Sequence, residues 1–183
     1  MKKALILVDY IYDFVEDDGA LTCGKPAQEI KGNIADVIQN LAENDILIIV
    51  NDCHLSGAEG ADHPESRLFP PHAIKGTKGR DNVMQKEIDN TAADVIYLDK
   101  TRYSAFHDTG LYDILNLHNV GKIYLAGVCT DICILHTAVD AYNLDVDTTI
   151  LASCVASFNQ AGHDFALSHF KNTLGFELAE KIN

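Results

Sequence analysis

The chain has 183 residues, with 14 Lys and Arg against 27 Asp and Glu for a net charge of -13, and 47% of it is hydrophobic. That length suits one domain over residues 1–183 with a single sizeable core. The acidic balance supplies no basic face, which argues against nucleic acid or an anionic membrane surface as a partner. No uncharged run approaches the ~20 residues that cross a bilayer, and the amino terminus enters a strand pattern directly, so the expected location is cytoplasmic. Five cysteines at irregular spacing read as reduced thiols rather than a disulfide framework.

In chain order, short apolar runs alternate with segments of helical period, the pattern of a parallel sheet covered by crossover helices. Strands are expected at Ala4 to Val8, Ile46 to Val50, Val95 to Leu98, Ile123 to Val128 and Thr148 to Ala152, with a short sixth near Phe176. Helices are expected at Ala27 to Asn44, Gly110 to Asn116, Ile132 to Asn143 and Gly162 to Lys171. The fold class is therefore α/β: three layers, with an open, mostly parallel six-stranded sheet of Rossmann-like type. From Cys53 to Arg80 no clean period survives, and Gly, Pro and His are frequent. A long irregular loop carrying ligand-type side chains points to a functional segment.

Chemistry-bearing residues sit at the carboxyl ends of these strands, where open α/β sheets bind their ligands. Asp52 and His54 follow the second strand at spacing i, i+2, and the loop adds His63, Glu65 and His72. One carboxylate with two or three imidazoles suits a borderline divalent cation, zinc above iron or manganese, whereas calcium would want more oxygen. Cys133 lies where a buried strand hands over to a helix, a place expected to ease thiol ionisation. Asp9 could be its base and Lys100 the cation that supports both, with backbone N–H groups of the Val128 to Cys133 turn facing an oxyanion. Taken singly, Asp9 reads more commonly as a strand-end turn residue, Lys100 as a surface charge and Cys133 as a small buried side chain; the functional reading rests on all three meeting at one sheet edge.

Together these residues resemble the isochorismatase-like cysteine hydrolases, and within them the nicotinamidase/pyrazinamidase branch. The resemblance is carried by Leu5-Ile-Leu-Val-Asp9, Asp52-x-His54, Pro64-Glu-Ser with Phe69-Pro-Pro-His72, Asp99-Lys100 and Gly127-Val-Cys-Thr-Asp-Ile-Cys133. It implies Cys133 as nucleophile, Asp9 as proton shuttle and Lys100 as their partner, with a cis peptide before Cys129 and the N–H groups of Cys129 and Cys133 as the oxyanion hole. It also implies one divalent metal on Asp52, His54 and His72. Glu65 is the fourth ligand in relatives with the Pro-Glu-Ser form, and His63 the alternative where relatives use a histidine. Phe14, Phe69 and Tyr103 fall where the family sandwiches a flat ring. Where many relatives have Gln-Asn-Asp-Phe, this chain has Ile11-Tyr12-Asp13-Phe14.

The expected activity is hydrolysis of nicotinamide, and of pyrazinamide, in NAD salvage by a homo-oligomer. Alternatives are a related amidohydrolase on a carbamoyl or ureido compound, an isochorismatase, and a thiol-based redox-sensing module. The chain has no Gly-x-Gly-x-x-Gly after its first strand, which weakens a nucleotide-binding reading.

Overall fold

The computed structural model describes residues 2–56 and 63–182, so part of the Cys53 to Arg80 loop lies outside the described residues. Six strands form one sheet: β1 (Lys2–Val8), β2 (Ile46–Asp52), β3 (Asp94–Lys100), β4 (Val120–Val128), β5 (Thr148–Ala156) and β6 (Glu177–Ala179). Their order is β3-β2-β1-β4-β5-β6, and every pairing is parallel.

Period-two alternation along the strands splits the core into two layers. From β1, Leu5 and Leu7 face one side with Leu47, Ile49, Tyr124 and Ala126. There they meet Ala27 of α2 (Lys25–Glu29), Ile34 and Ile38 of α3 (Lys31–Gln39) and Ile88 of α4 (Gln85–Asp89). Ala4, Ile6 and Val8 face the other side with Ile46, Ile48, Ile123 and Leu125. They pack on Leu111 and Leu115 of α5 (Leu111–Leu117), Ala138 and Ala141 of α6 (Leu135–Asn143), and Ala166 and Phe170 of α7 (Gln160–Asn172). Helices on both faces are what a fully parallel sheet requires, since both of its faces are apolar.

The elements depart from the sequence reading in ways that matter for the site. The single helix expected over Ala27 to Asn44 is two, broken at Ile30 and closed at Asn40, whose side-chain amide donates to Asp36 O at 2.7 Å. One-turn α1 (Tyr12–Val15) and the short α4 have too few residues to show a period. Strand β2 runs on to Asp52 and β3 to Lys100, beyond their apolar stretches, because Asn51↔Asp99 and Asp52↔Lys100 remain paired. Polar residues can close a strand when their side chains find partners, and these do.

Candidate active site and metal cluster

Chain progression reverses on either side of β1, so a crevice opens above the carboxyl ends of β1 and β4. Asp9 follows β1 in a left-handed conformation (φ +56°), which Asp tolerates better than most residues, and its N–H donates to Val50 O at 3.0 Å. Beside it, Gly127 of β4 has φ +119°, and a Cβ there would sit 1.9 Å from Val8 O. Only glycine lets β1 and β4 approach so closely at the site. The Val128–Cys129 peptide that follows is cis, as the resemblance implied. Thr130–Ile134 then form a π-helical turn leading into α6.

This layout brings Asp9, Lys100 and Cys133 together. Lys100 Nζ lies 2.7 Å from Asp9 Oδ2 and 3.6 Å from Cys133 Sγ, and it also donates to Asp52 Oδ1. Asp9 Oδ1 accepts the Asp52 N–H at 2.7 Å. One oxygen each from Asp9 and Asp52 and the Cys133 sulfur lie within 4.8 Å of one another. All four residues are buried, so Lys100 is a core ammonium rather than a surface charge.

The electrostatics follow from that burial. Burial pushes Asp9 up to about 6, the charge of Asp52 adding and Lys100 opposing. Burial acts in the same sense on Asp52, but Lys100 and His54 more than offset it and hold that carboxyl at about 2. Lys100 is raised well above the ordinary lysine range, because burial, which opposes its charge, is outweighed by Asp52 and Asp9. The Cys133 thiol is also raised, by burial first and then, against the pull of Lys100, by the two carboxylates. This corrects the expectation of an easily ionised thiol: the strand-to-helix junction does not overcome burial beside two carboxylates. Burial and the two carboxylates favour the protonated form of the sulfur, and the Asp9 carboxylate lies beside it.

Next to this trio lies a second cluster. Asp52, His54, Glu65 and His72 each offer one ligand atom within 4.8 Å of the others, and all four are buried. The pieces are held by backbone pairing: His54 bridges Ile74 in parallel, with His54 N–H donating to Ala73 O at 3.0 Å and Lys75 N–H to His54 O at 2.9 Å. Glu65 sits in a 3-10 turn, Pro64–Arg67. His72 Nδ1 is 2.7 Å from Pro70 O, where it donates, leaving Nε2 as the free lone pair. His54 Nε2 lies 3.8 Å from Asp52 Oδ2 and 3.9 Å from Glu65 Oε2, and His72 Nε2 lies 3.5 Å from Glu65 Oε2. Neither ring nitrogen has a hydrogen-bond partner among the described residues although both are buried. Two orphaned imidazole nitrogens converging with two carboxylates fit a divalent cation, and the mixed nitrogen and oxygen set suits zinc, iron or manganese better than calcium.

His63 falls outside the cluster. Its Nδ1 accepts the Glu65 N–H at 3.3 Å and its Nε2 faces Thr101 O and Arg102, so it caps the turn that presents Glu65. Phe14, Phe69 and Tyr103 line one pocket with Asp52, Glu65, His72, Cys129 and Cys133. Val128, Leu21, Cys23, Ile132 and Phe158 complete its wall, and none of the last four was expected there from the sequence. No residue type or spacing marks them as pocket residues. Asp13 was also missed as a support: its carboxylate accepts the N–H groups of Ala73 at 2.8 Å and Ala20 at 3.1 Å, tying the His72 loop and the pocket wall to α1.

The family model for the isochorismatase domain matches residues 3–178. The isochorismatase-family protein PncA of Bacillus subtilis is 48% identical, over 98% of this chain and 100% of its own. The crystal structure of nicotinamidase/pyrazinamidase PncA from Bacillus subtilis superposes with a TM-score of 0.88 at 46% identity, covering 98% of this chain and 100% of that one. The pyrazinamidase of Pyrococcus horikoshii in complex with zinc gives a TM-score of 0.83 at 26% identity, covering 97% and 98% of the two chains. The chain belongs to the isochorismatase family.

Proposed function

We propose that this protein is a nicotinamidase, hydrolysing nicotinamide to nicotinate and ammonia through a thioester on Cys133. The observation that carries the reading is that Cys133 lines an aromatic pocket together with Asp52, Glu65 and His72 of the adjoining cluster, while Lys100 and Asp9 are buried behind its sulfur. The similarity to nicotinamidase/pyrazinamidase PncA along the full chain points the same way.

A neutral carboxamide needs a stronger nucleophile than a thiol, and Asp9 removes the Cys133 proton as the sulfur attacks the carboxamide carbon. Lys100 stabilises the sulfur and the carboxylate at this stage, being in contact with both. The backbone N–H groups of Cys129 and Cys133 face the developing oxyanion. Asp9 then gives its proton to the departing nitrogen, ammonia leaves, and a nicotinoyl thioester remains on Cys133. Asp9, ionised again, takes a proton from water as the water oxygen attacks the thioester; the C–S bond breaks, Asp9 returns that proton to the sulfur, and the acid leaves and ionises to nicotinate in solvent. An aspartate whose affinity for protons has been raised to about 6 is suited to accept and return a proton in each half-reaction.

Asp52, His54, Glu65 and His72 would hold the cation, zinc by preference. Bound there, it supplies a coordination position for the ring nitrogen of a pyridine or pyrazine, orienting an otherwise neutral amide. Phe14, Phe69 and Tyr103 give the ring flat apolar surfaces. On this reading the whole chain is one hydrolase domain, pyrazinamide is a substrate, and the enzyme works in cytoplasmic NAD salvage as a homo-oligomer. Among the described residues no helix is long and apolar enough to cross a membrane. The test is ammonia release from nicotinamide and pyrazinamide with and without a chelator, alongside Cys133→Ala. Turnover that depends on both the cation and Cys133 is expected; a Cys133→Ala protein that still releases ammonia refutes the mechanism.

A further inference from the structure

The turn that carries the nucleophile is attached to the amino end of α7 by residues the reaction does not use. Thr130 is fully buried, and its Oγ1 shares a 2.8 Å hydrogen bond with His163 Nδ1. The next residue, Asp131, lays its carboxylate against Gly162 in the first turn of α7. A Cβ at Gly162 would sit 1.9 Å from Asp131 Oδ2 and 2.7 Å from its Cγ, so the carboxylate occupies space that any other residue would fill. The Gly162 N–H is taken by the Asn159 side chain at 3.2 Å, and Asp131 Oδ1 is buried with no hydrogen-bond partner among the described residues. Close packing and the positive end of a thirteen-residue helix are what favour the carboxylate there. Farther along, Ala166 and Phe170 fix α7 in the core, so the amino end is a rigid anchor.

We propose that Asp131 and Gly162, with Thr130 and His163 beside them, form a clamp that sets the position of the Cys129 and Cys133 amides. Asp131 is then a positioning residue for the oxyanion hole, an inference that rests on the proposed role of those amides. The proton relay is built elsewhere: Asp9 follows β1 and Lys100 ends β3, and both reach Cys133 from the sheet rather than from α7. The two parts are therefore separable. Loosening the clamp moves the oxyanion donors while the sulfur stays against Lys100.

Gly162→Ala tests this most cleanly, because it adds a methyl where the carboxylate lies, removes no polar group and favours the helix. Asp131→Asn keeps the volume without the charge, and Thr130→Val keeps the shape without the hydroxyl, with Thr130→Ser as its rescue. In full-length, cation-loaded protein, kcat for nicotinamide should fall about tenfold to a hundredfold in the first three variants, the loss expected of reacting groups misplaced by about 1 Å. KM and the rate of Cys133 alkylation by iodoacetamide should each stay within about twofold of wild type, since ground-state binding and the sulfur are untouched. Thr130→Ser should recover most of the rate lost in Thr130→Val. Wild-type kcat in both Gly162→Ala and Asp131→Asn overturns the clamp. So does a joint fall of kcat, alkylation rate and melting temperature, the pattern of a purely structural role. Cys133→Ala in the same assay separates the two readings: if it retains activity, the nucleophile and oxyanion assignment fails. If it is inactive while the clamp variants keep full kcat, only the clamp fails.

Discussion

Replacing Lys100 by Met removes an ammonium that compensates two buried carboxylates, and the structure gives a scale for the consequence. At 2.7 Å from Asp9 Oδ2 the pair attraction alone is about 6 kcal/mol for an effective dielectric of about 20, and Asp52 adds a second contact. Much of that sum offsets the cost of burying three charges, so the net loss expected is the ~3–5 kcal/mol typical of stranding a buried charge. For a chain of this size, that lowers the melting temperature by roughly 10 °C. Met preserves length and apolar stem, so the effect isolates the charge. Adding Asp9→Asn to Lys100→Met removes one of the two stranded carboxylates and should restore about 2 kcal/mol, an interaction that only contacting residues show. The assay is chemical denaturation of wild type, both single variants and the double variant, with a chelator present so that no bound cation compensates Asp52. In parallel, ammonia release by Lys100→Met should fall on the order of 10³-fold, since the ammonium acts where charge develops. A Lys100→Met protein as stable as wild type, or a double variant no more stable than Lys100→Met, would refute the reasoning.

Glu65→Gln keeps the size of a proposed ligand but removes its charge, so bound zinc measured after dialysis should fall about tenfold or more in affinity, with His63→Ala much less affected because His63 only caps the Glu65 turn. Phe69→Ala and Tyr103→Ala should raise KM for nicotinamide about tenfold with a smaller change in kcat, as loss of ring-stacking surface removes uniform binding; steady-state kinetics decide. Gly127→Ala forces a side chain onto Val8 O, and little native protein should be recovered, judged by circular dichroism. Burial pushes the Cys154 thiol from 9.0 up to about 11. A raised acid contributes stability that is fully present below pH 9 and lost as pH rises through 11, so Cys154→Ala should flatten that alkaline arm in denaturation midpoints.

Much of this was legible in the sequence because apolar runs and turn residues report the sheet directly. All six strands lie where alternation and short apolar stretches placed them, and the four segments that end in Asp9, Asp52, Lys100 and Cys133 share one sheet edge. What the pattern did not carry was the polar ends of β2 and β3, whose pairing depends on partners in other segments. One-turn α1 was invisible to periodicity, yet it places both Phe14 and the Asp13 carboxylate that ties down Ala73. The cluster of Asp52, His54, Glu65 and His72 was readable as ligand types, but that Glu65 rather than His63 stands among them follows from a 3-10 turn that carries Glu65 and is capped by His63. The thiol's ionisation was misjudged from local position alone, because what governs it is burial under the fold and two carboxylates brought in by β1 and β2. Phe158, Leu21 and Ile132 are pocket residues only by virtue of the fold.

The most direct measurement is mass spectrometry of acid-quenched enzyme during turnover of nicotinamide, with peptide mapping of any adduct. A nicotinoyl group on Cys133, absent from Asp9→Asn and from Cys133→Ala, is the predicted result. Steady turnover by the wild type with no acyl group on Cys133 at any time, and with activity surviving in Cys133→Ala, would contradict it.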